Sequence, residues 1–210
     1  MMSIAAWGPD TARVARALAS ARDSVDSLDA RLARHARVAA LDSAQRAIQH
    51  RTGVSVAIDS FAAGYALDNA ARALGVGSIV DSALLDIGGQ YLWVGPPEGV
   101  ARTSRPVGIP DPDNSLRVVG YVILQGGSLR IASRERSKKR ARTSSVTVLA
   151  PNGLSAAAWA HAFLGWGCDS ALANAGGMSV VCADSAGVRW TTDLQNRVSL
   201  PLPAPAARGP

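Results

Sequence analysis

The sequence has little of what marks a secreted scaffold or a membrane protein. Only two cysteines occur in 210 residues, Cys168 and Cys182. Their spacing fits neither a redox pair nor a zinc knuckle, which argues against a disulfide scaffold and against a Cys-based metal site. They read as two free thiols in a reducing cytoplasm. No apolar run approaches the roughly 20 residues needed to cross a bilayer. The stretch Met1-Met2-Ser3-Ile4-Ala5-Ala6-Trp7 has neither the basic start nor the apolar core of a signal peptide. A soluble, cytoplasmic protein with no membrane partner is expected. No internal repeat of fixed period stands out.

Aromatic residues are also missing where a nucleic-acid reading would need them. The net charge of +6 is concentrated in Arg130, Arg134, Arg136, Lys138, Lys139, Arg140 and Arg142, relieved only by Glu135. Such a run could clamp phosphate or nucleic acid by charge. With no ring among the cations for a base to stack on, a nucleic-acid partner is disfavoured. A solvated, mobile loop is the plainer reading of the run.

What is there suffices for a core. Hydrophobic residues make up 48% of the chain, which points to one α/β or α+β domain over residues 1–199. The proline-rich stretch 200–210 reads as a disordered tail, because repeated prolines cannot donate helix or ladder hydrogen bonds. After Pro9-Asp10, the residues Val14, Leu18, Ala21, Val25, Leu28 and Leu32 recur at helical spacing and predict a long amphipathic helix. Packing against a sheet or helix layer is the expected use of its stripe, although pairing with a partner, or a second copy, through this helix is an alternative. A second helix is expected around Ser43 to His50, closed by Gly53. Val54 to Ile58 alternates and reads as a strand, with Asp59-Ser60 as the N-cap of a helix reaching Leu74 before Gly75. Further strands are expected at Ala83–Ile87, around Pro106–Ile109, at Arg117–Gln125, Ser144–Ala150 and Met178–Ala183, with a short return at Gly187–Thr191. A helix is expected at Ser155–Trp166, and a turn over Pro110 to Asn114.

Several of these segments resemble, in the same order, the ApbE-like FAD:protein FMN transferases. The family's central motif D-L-G-G-I-A-K-G-Y-A-x-D falls without a gap on Ala57-Ile58-Asp59-Ser60-Phe61-Ala62-Ala63-Gly64-Tyr65-Ala66-Leu67-Asp68. Its L-x-N-L-G-G-D strand looks like Leu84-Leu85-Asp86-Ile87-Gly88-Gly89-Gln90, and its V-G-I-x-D-P turn like Val107-Gly108-Ile109-Pro110-Asp111-Pro112. Its S-V-T-V-x-A strand matches Ser145-Val146-Thr147-Val148-Leu149-Ala150. The resemblance covers most of Val54 to Trp190. It implies an α+β, T-fold-like sheet with packed helices, and FAD or FMN as a ligand held near Ser60, Gly64, Tyr65, Gly88, Gly89 and Gln90.

The departures from the pattern are chemical. Family members use magnesium to split the FAD pyrophosphate and pass FMN to a protein hydroxyl, which calls for hard oxygen ligands. The Asp and Thr that the family places one turn apart after the S-V-T-V strand are Ala157 and His161 here. A methyl group offers no oxygen and an imidazole is a poor magnesium ligand, so no metal-ligating residue is assigned. Ala57, Asp59, Ser60 and Ala63 replace the acid, the two glycines and the lysine of the central motif, and Gln90 replaces an Asp. The H-x-I-D-P-x-T-G loop has no counterpart, and the segment before the central motif is shortened. FMN transfer is therefore not expected.

His161, a group that titrates near neutral pH, is the candidate acid or base, with a structural histidine as the alternative. Asp86 could pair with it, and Asp59 with Ser60 could orient a ligand at a helix start, although capping explains both. Tyr65 reads as core and Asp68 as an anchor for a nearby loop, while Trp159 and Trp166 read as packing. Two uses of the vacated flavin cleft follow, a repurposed small-molecule enzyme, or a non-catalytic flavin-binding, nucleotide-binding or scaffold protein, and a residual FAD:protein FMN transferase is the third option. Polar groups clustered in the cleft would favour the first. A cleft filled by Phe61, Trp159 and Phe163 would favour the second.

Overall fold

The computed structural model describes residues 2–34, 36–95, 105–111, 117–133 and 143–200. Its elements in chain order are β1 (Met2–Trp7), α1 (Thr11–Ala33), α2 (Ala39–Thr52), α3 (Asp59–Leu74), β2 (Ser82–Ile87), β3 (Gln90–Val94), β4 (Arg105–Pro110), β5 (Val118–Leu124), β6 (Gly127–Ser133), β7 (Thr143–Ala150), α4 (Gly153–Trp166), α5 (Cys168–Ala173), β8 (Ser179–Asp184), β9 (Gly187–Trp190) and β10 (Val198–Ser199). The turn expected after Pro110, the charged run from Arg134 to Arg142 and the tail from Pro201 lie outside the described residues.

Seven strands form an antiparallel sheet in the order β1-β2-β3-β6-β7-β8-β9, and three form a smaller sheet, β10-β5-β4. Side chains alternate across a strand, and neighbouring positions fall into different cores. Leu92, Val148 and Val180 pack with helical residues, whereas Trp93, Leu149 and Val181 pack with Ile109, Val122 and Leu124 of the smaller sheet. The molecule is thus layered, with helices over one face of the large sheet and the small sheet over the other. This is the expected α+β class.

The helix ends follow from local chemistry. Asp10 caps α1 by accepting from Ala12 N at 2.9 Å and Arg13 N at 3.0 Å, which holds its carboxyl below the usual range. Gly53 and Gly75 end α2 and α3 in the left-handed conformation. The stripe Val14, Ala17, Ala21, Val25 and Leu28 of α1 is buried, and α1 packs on α3. Its apolar face is consumed inside the fold, which is the packing use expected of the stripe.

Two expectations about the start of α3 are corrected. Val54–Ile58 is not a strand: among the described residues it has no strand neighbour, and it connects α2 to α3 without regular structure until Ile58 turns into the helix. Its alternating valines serve helix packing instead, with Val56 buried and its carbonyl accepting from Gln45 Nε2 at 2.8 Å. Asp59 and Ser60 do not cap the helix. The cap position is Ile58, already in helical torsions and with no side-chain bond, because Ser60 N bonds back to Ala57 O and tightens the chain one turn early.

Cys168 and Cys182 are joined in a disulfide with Cα atoms 5.6 Å apart, so they are not free thiols. The separation suits a bridge, and it is reached because α5 lies on β8. Sequence spacing carried no sign of it, since the contact is tertiary. Among the described residues no helix is long and apolar enough to cross a membrane.

Candidate functional site

The helix α4 is built almost entirely of small residues, and Ala156, Ala157, Ala158, Ala160 and Ala162 are all buried. The reason lies where it meets α3. A Cβ placed on Gly64 would sit 2.1 Å from Gly153 O, and one on Gly153 would sit 2.3 Å from Gly64 O. The two backbones touch, and only glycine fits at either side of the contact. Gly64 is therefore a packing residue of the helix crossing.

Polar groups fasten the same crossing. The Asp68 carboxylate accepts from Gly153 N at 2.6 Å and Leu154 N at 2.9 Å, so it caps α4 from the neighbouring helix. This is the anchoring role expected of Asp68. Burial raises its carboxyl above the ordinary value, against the lowering effect of the two N–H groups. Gln90 is wholly buried, and its Nε2 donates to Gly153 O at 2.7 Å. It is a strut beneath the crossing. Tyr65 is half-buried against the core and lines an open groove of about 490 Å³ with Asp68, Leu92 and Asn152.

Gly88 and Gly89 form the two-residue turn joining β2 to β3, at φ 58° and 76°. A turn with positive φ at both positions matches the twist of a hairpin and favours glycine. Asp86 accepts from Gly89 N at 3.0 Å, so its carboxylate stabilises this turn.

Across the sheet from that turn, Arg130 of β6 stands directly opposite Gln90 of β3, on the helix-covered face. Its Nη1 donates to Gly88 O at 3.1 Å. His161 projects from α4 close enough to feel the Arg130 charge. Burial first, and that charge second, push the imidazole below its ordinary pKa, and burial lowers Arg130 as well. Arg130 Nε and His161 Nε2 are both enclosed without a hydrogen-bond partner, as is Gln90 Oε1. The strand pattern Leu129-Arg130-Ile131 was the signal that could have separated Arg130 from the charged run that follows it, since its neighbours point to the other face.

The expected pairing of His161 with Asp86 is not assembled. Asp86 shares a sheet face with Leu84 and Tyr91, which pack beneath the small sheet, while His161 and Arg130 lie on the helix side. Asp59 is exposed in the first turn of α3, and Ser60 is half-buried beside it. Phe61 and Phe163 are fully buried in two different core clusters, and Trp159 and Trp166 pack around Phe163 with ring centroids 5.3 Å and 6.3 Å away. The Arg51 guanidinium lies 4.9 Å over the Trp159 ring. These aromatics build the interior.

The residues present do not fit magnesium. Ala157 is fully buried with no oxygen to offer, and His161 faces a guanidinium, whose charge repels a second cation. No carboxylate among the described residues offsets that charge at His161.

A family model described as the ApbE family matches residues 3–137. Among solved structures, the ApbE protein of Thermotoga maritima is similar over 92% of this chain and 80% of that one, at 18% identity and a TM-score of 0.54. The flavin transferase ApbE of Vibrio cholerae is similar over 68% of this chain, at 18% identity and a TM-score of 0.51, and the match spans only 52% of that protein. At these identities the likeness concerns the fold. No curated protein matches by sequence. The family match ends before β7 and α4, the segment that carries Ala157 and His161.

Proposed function

We propose that this chain, which belongs to the ApbE family, has given up magnesium-dependent FMN transfer and uses the remaining cleft to bind a small molecule without metal. The observation that supports this reading is a buried Ala157 and a His161 that feels the Arg130 charge, at the positions where the family resemblance implies an acid and an alcohol. Neither of these two side chains offers an oxygen to a divalent ion, and the Arg130 charge at His161 disfavours one. FAD or FMN remains a candidate ligand through the family.

Binding is favoured over a repurposed acid/base enzyme by the placement of the carboxylates. General acid/base chemistry needs proton-transfer groups within hydrogen-bond reach of one substrate. Asp86 lies on the other sheet face and Asp59 is exposed at a helix start, which leaves His161 without a carboxylate partner among the described residues. The cytoplasmic location rested partly on free thiols. The disulfide fits an oxidising compartment better.

The experiment is incubation with FAD, magnesium and a hydroxyl-bearing acceptor peptide, followed by fluorescence detection of covalent flavin. The expected result is no labelling above a protein-free control. Labelled peptide at a catalytic rate would overturn the reading.

A further inference from the structure

A second concave region lies at the other end of the large sheet from the Gly88–Gly89 turn. Two hollows of about 450 Å³ and 330 Å³ flank the turn between β5 and β6 and share Gln125, Gly126, Gly127 and Pro151 as walls. Arg197 and Ser179 line the larger hollow, and Trp93 lines the smaller. From this arrangement we infer a binding site for a small organic monoanion: a carboxylate held by Arg197, carried on a flat apolar body that reaches Trp93. None of Asp59, Ser60, Gly88, Gly89, Ala157 and His161 lines either hollow, so the site is separate from the positions that the family resemblance gives to flavin.

The strands fix where the groups stand. The ends of β3 and β7 and the starts of β6 and β8 meet at this edge of the antiparallel sheet. Arg197 is held before any ligand arrives: its Nε and Nη2 both donate to Ile123 O, at 3.0 Å and 2.7 Å, and its backbone N–H donates to Leu194 O at 2.8 Å. A guanidinium fixed in this way loses little freedom on binding. It makes no ion pair with a described residue. Asp193 feels its charge, but that carboxylate is engaged by the side chains of Ser179 and Thr191 and does not line the hollow. The ridge between the hollows is bare backbone at Gly126, where a Cβ would meet open space, so a ligand can lie across it.

The donor set selects among anions. Ile123 O occupies the side of the guanidinium that carries Nε, which leaves the outer edge, one hydrogen each from Nη1 and Nη2, as a single fork. One fork matches the two oxygens of one carboxylate. No second cation lines either hollow, and the Ser179 hydroxyl hydrogen is committed to Asp193, so a phosphoryl dianion would keep part of its charge uncompensated. The smaller hollow has Leu92, Trp93 and Val94 in its wall, which suits a flat apolar group and gives a bare ion nothing. Both hollows fall in the size range of small-molecule sites.

The test is titration of the intact protein with phenylacetate, phenylpropionate, phenylbutyrate and phenylvalerate, a series that scans the reach from Arg197 to Trp93. Binding is read from the indole N–H resonance of Trp93 by NMR, assigned with Trp93→Phe. A saturable shift of that resonance is expected with at least one acid. The amide of the same acid should bind about tenfold more weakly, the worth of a charge-assisted hydrogen bond, and propionate, which lacks the ring, should be weakened about as much. Arg197→Gln should match the loss seen with the amide, and Arg197→Lys, which keeps a charge without a fork, should fall between. Circular dichroism and urea unfolding exclude loss of fold; Arg197→Lys retains a donor for Ile123 O and serves if Arg197→Gln does not fold. No saturable shift with any acid, equal binding of acid and amide, shifts at Trp159 or Trp166 without Trp93, or tighter binding of phenyl phosphate than of every acid would each overturn the assignment. Covalent flavin in the transfer assay overturns the functional reading and leaves this site untouched.

Discussion

Two side chains near α4 have pKa values moved chiefly by burial, and each makes its own prediction. The His161 imidazole has a lowered pKa in the folded protein, first through burial and then through Arg130. Below its ordinary value of 6.5 the unfolded chain takes up a proton that the folded chain refuses, so the unfolded state binds more protons. The resulting stability is fully present above 6.5 and is lost as pH falls toward the lowered folded value. Urea unfolding from about pH 7 to about pH 5 is expected to show a steeper loss in the wild type than in His161→Gln. His35 and His50 are common to both proteins, so parallel curves would contradict the argument. Asp68 is bound through its two backbone donors. Asp68→Ala removes both and should cost about 1–2 kcal/mol, the usual worth of a helix cap, read as a lower urea midpoint at unchanged slope.

Among the elements, α3 and α4 show how a sequence motif changes meaning once folded. Gly64 belongs to the central motif and was read as a ligand-facing glycine, but its missing Cβ makes room for a helix. Gly64→Ala is expected to destabilise by about 2–3 kcal/mol through overpacking against backbone, although alanine is the better helix former. Gly77→Ala, at φ 89° with open space around it, should cost about 1 kcal/mol from backbone strain alone. Equal midpoints for the two variants would refute the contact. Periodicity and caps made α1, α2 and most of α3 and α4 legible, because those signals are local. The segment Val54–Ile58 misled because valines serve a helix connection as readily as a strand. The strand β1 went unread because it is six residues long and pairs with β2, far along the chain; β3 and β6 were missed as well. Arg130 was hidden in the charged run, and the separation of His161 from Asp86 is a fact of sheet faces that no spacing along one segment encodes.

At the scale of the whole molecule, the three layers are held by three clusters, and the Cys168–Cys182 bridge ties a helix to the sheet within one of them. It spans a sequence separation of 14, for which loop-closure entropy predicts a contribution of about 3 kcal/mol. Both sulfurs belong to buried residues, so thiols should leave the bridge intact in the native protein and cut it once denaturant opens the core. Thermal melts of the oxidised protein and of a Cys168→Ala/Cys182→Ala variant should differ accordingly, and coincident melts would deny the bridge a stabilising role. The helix crossing at Gly64 and Gly153 has a different consequence for motion. Two helices in backbone contact cannot slide past one another, so the platform carrying His161 moves with α3 as a rigid pair. The Gly88–Gly89 hairpin tip, held by Arg130 and Asp86, braces the sheet beneath that pair.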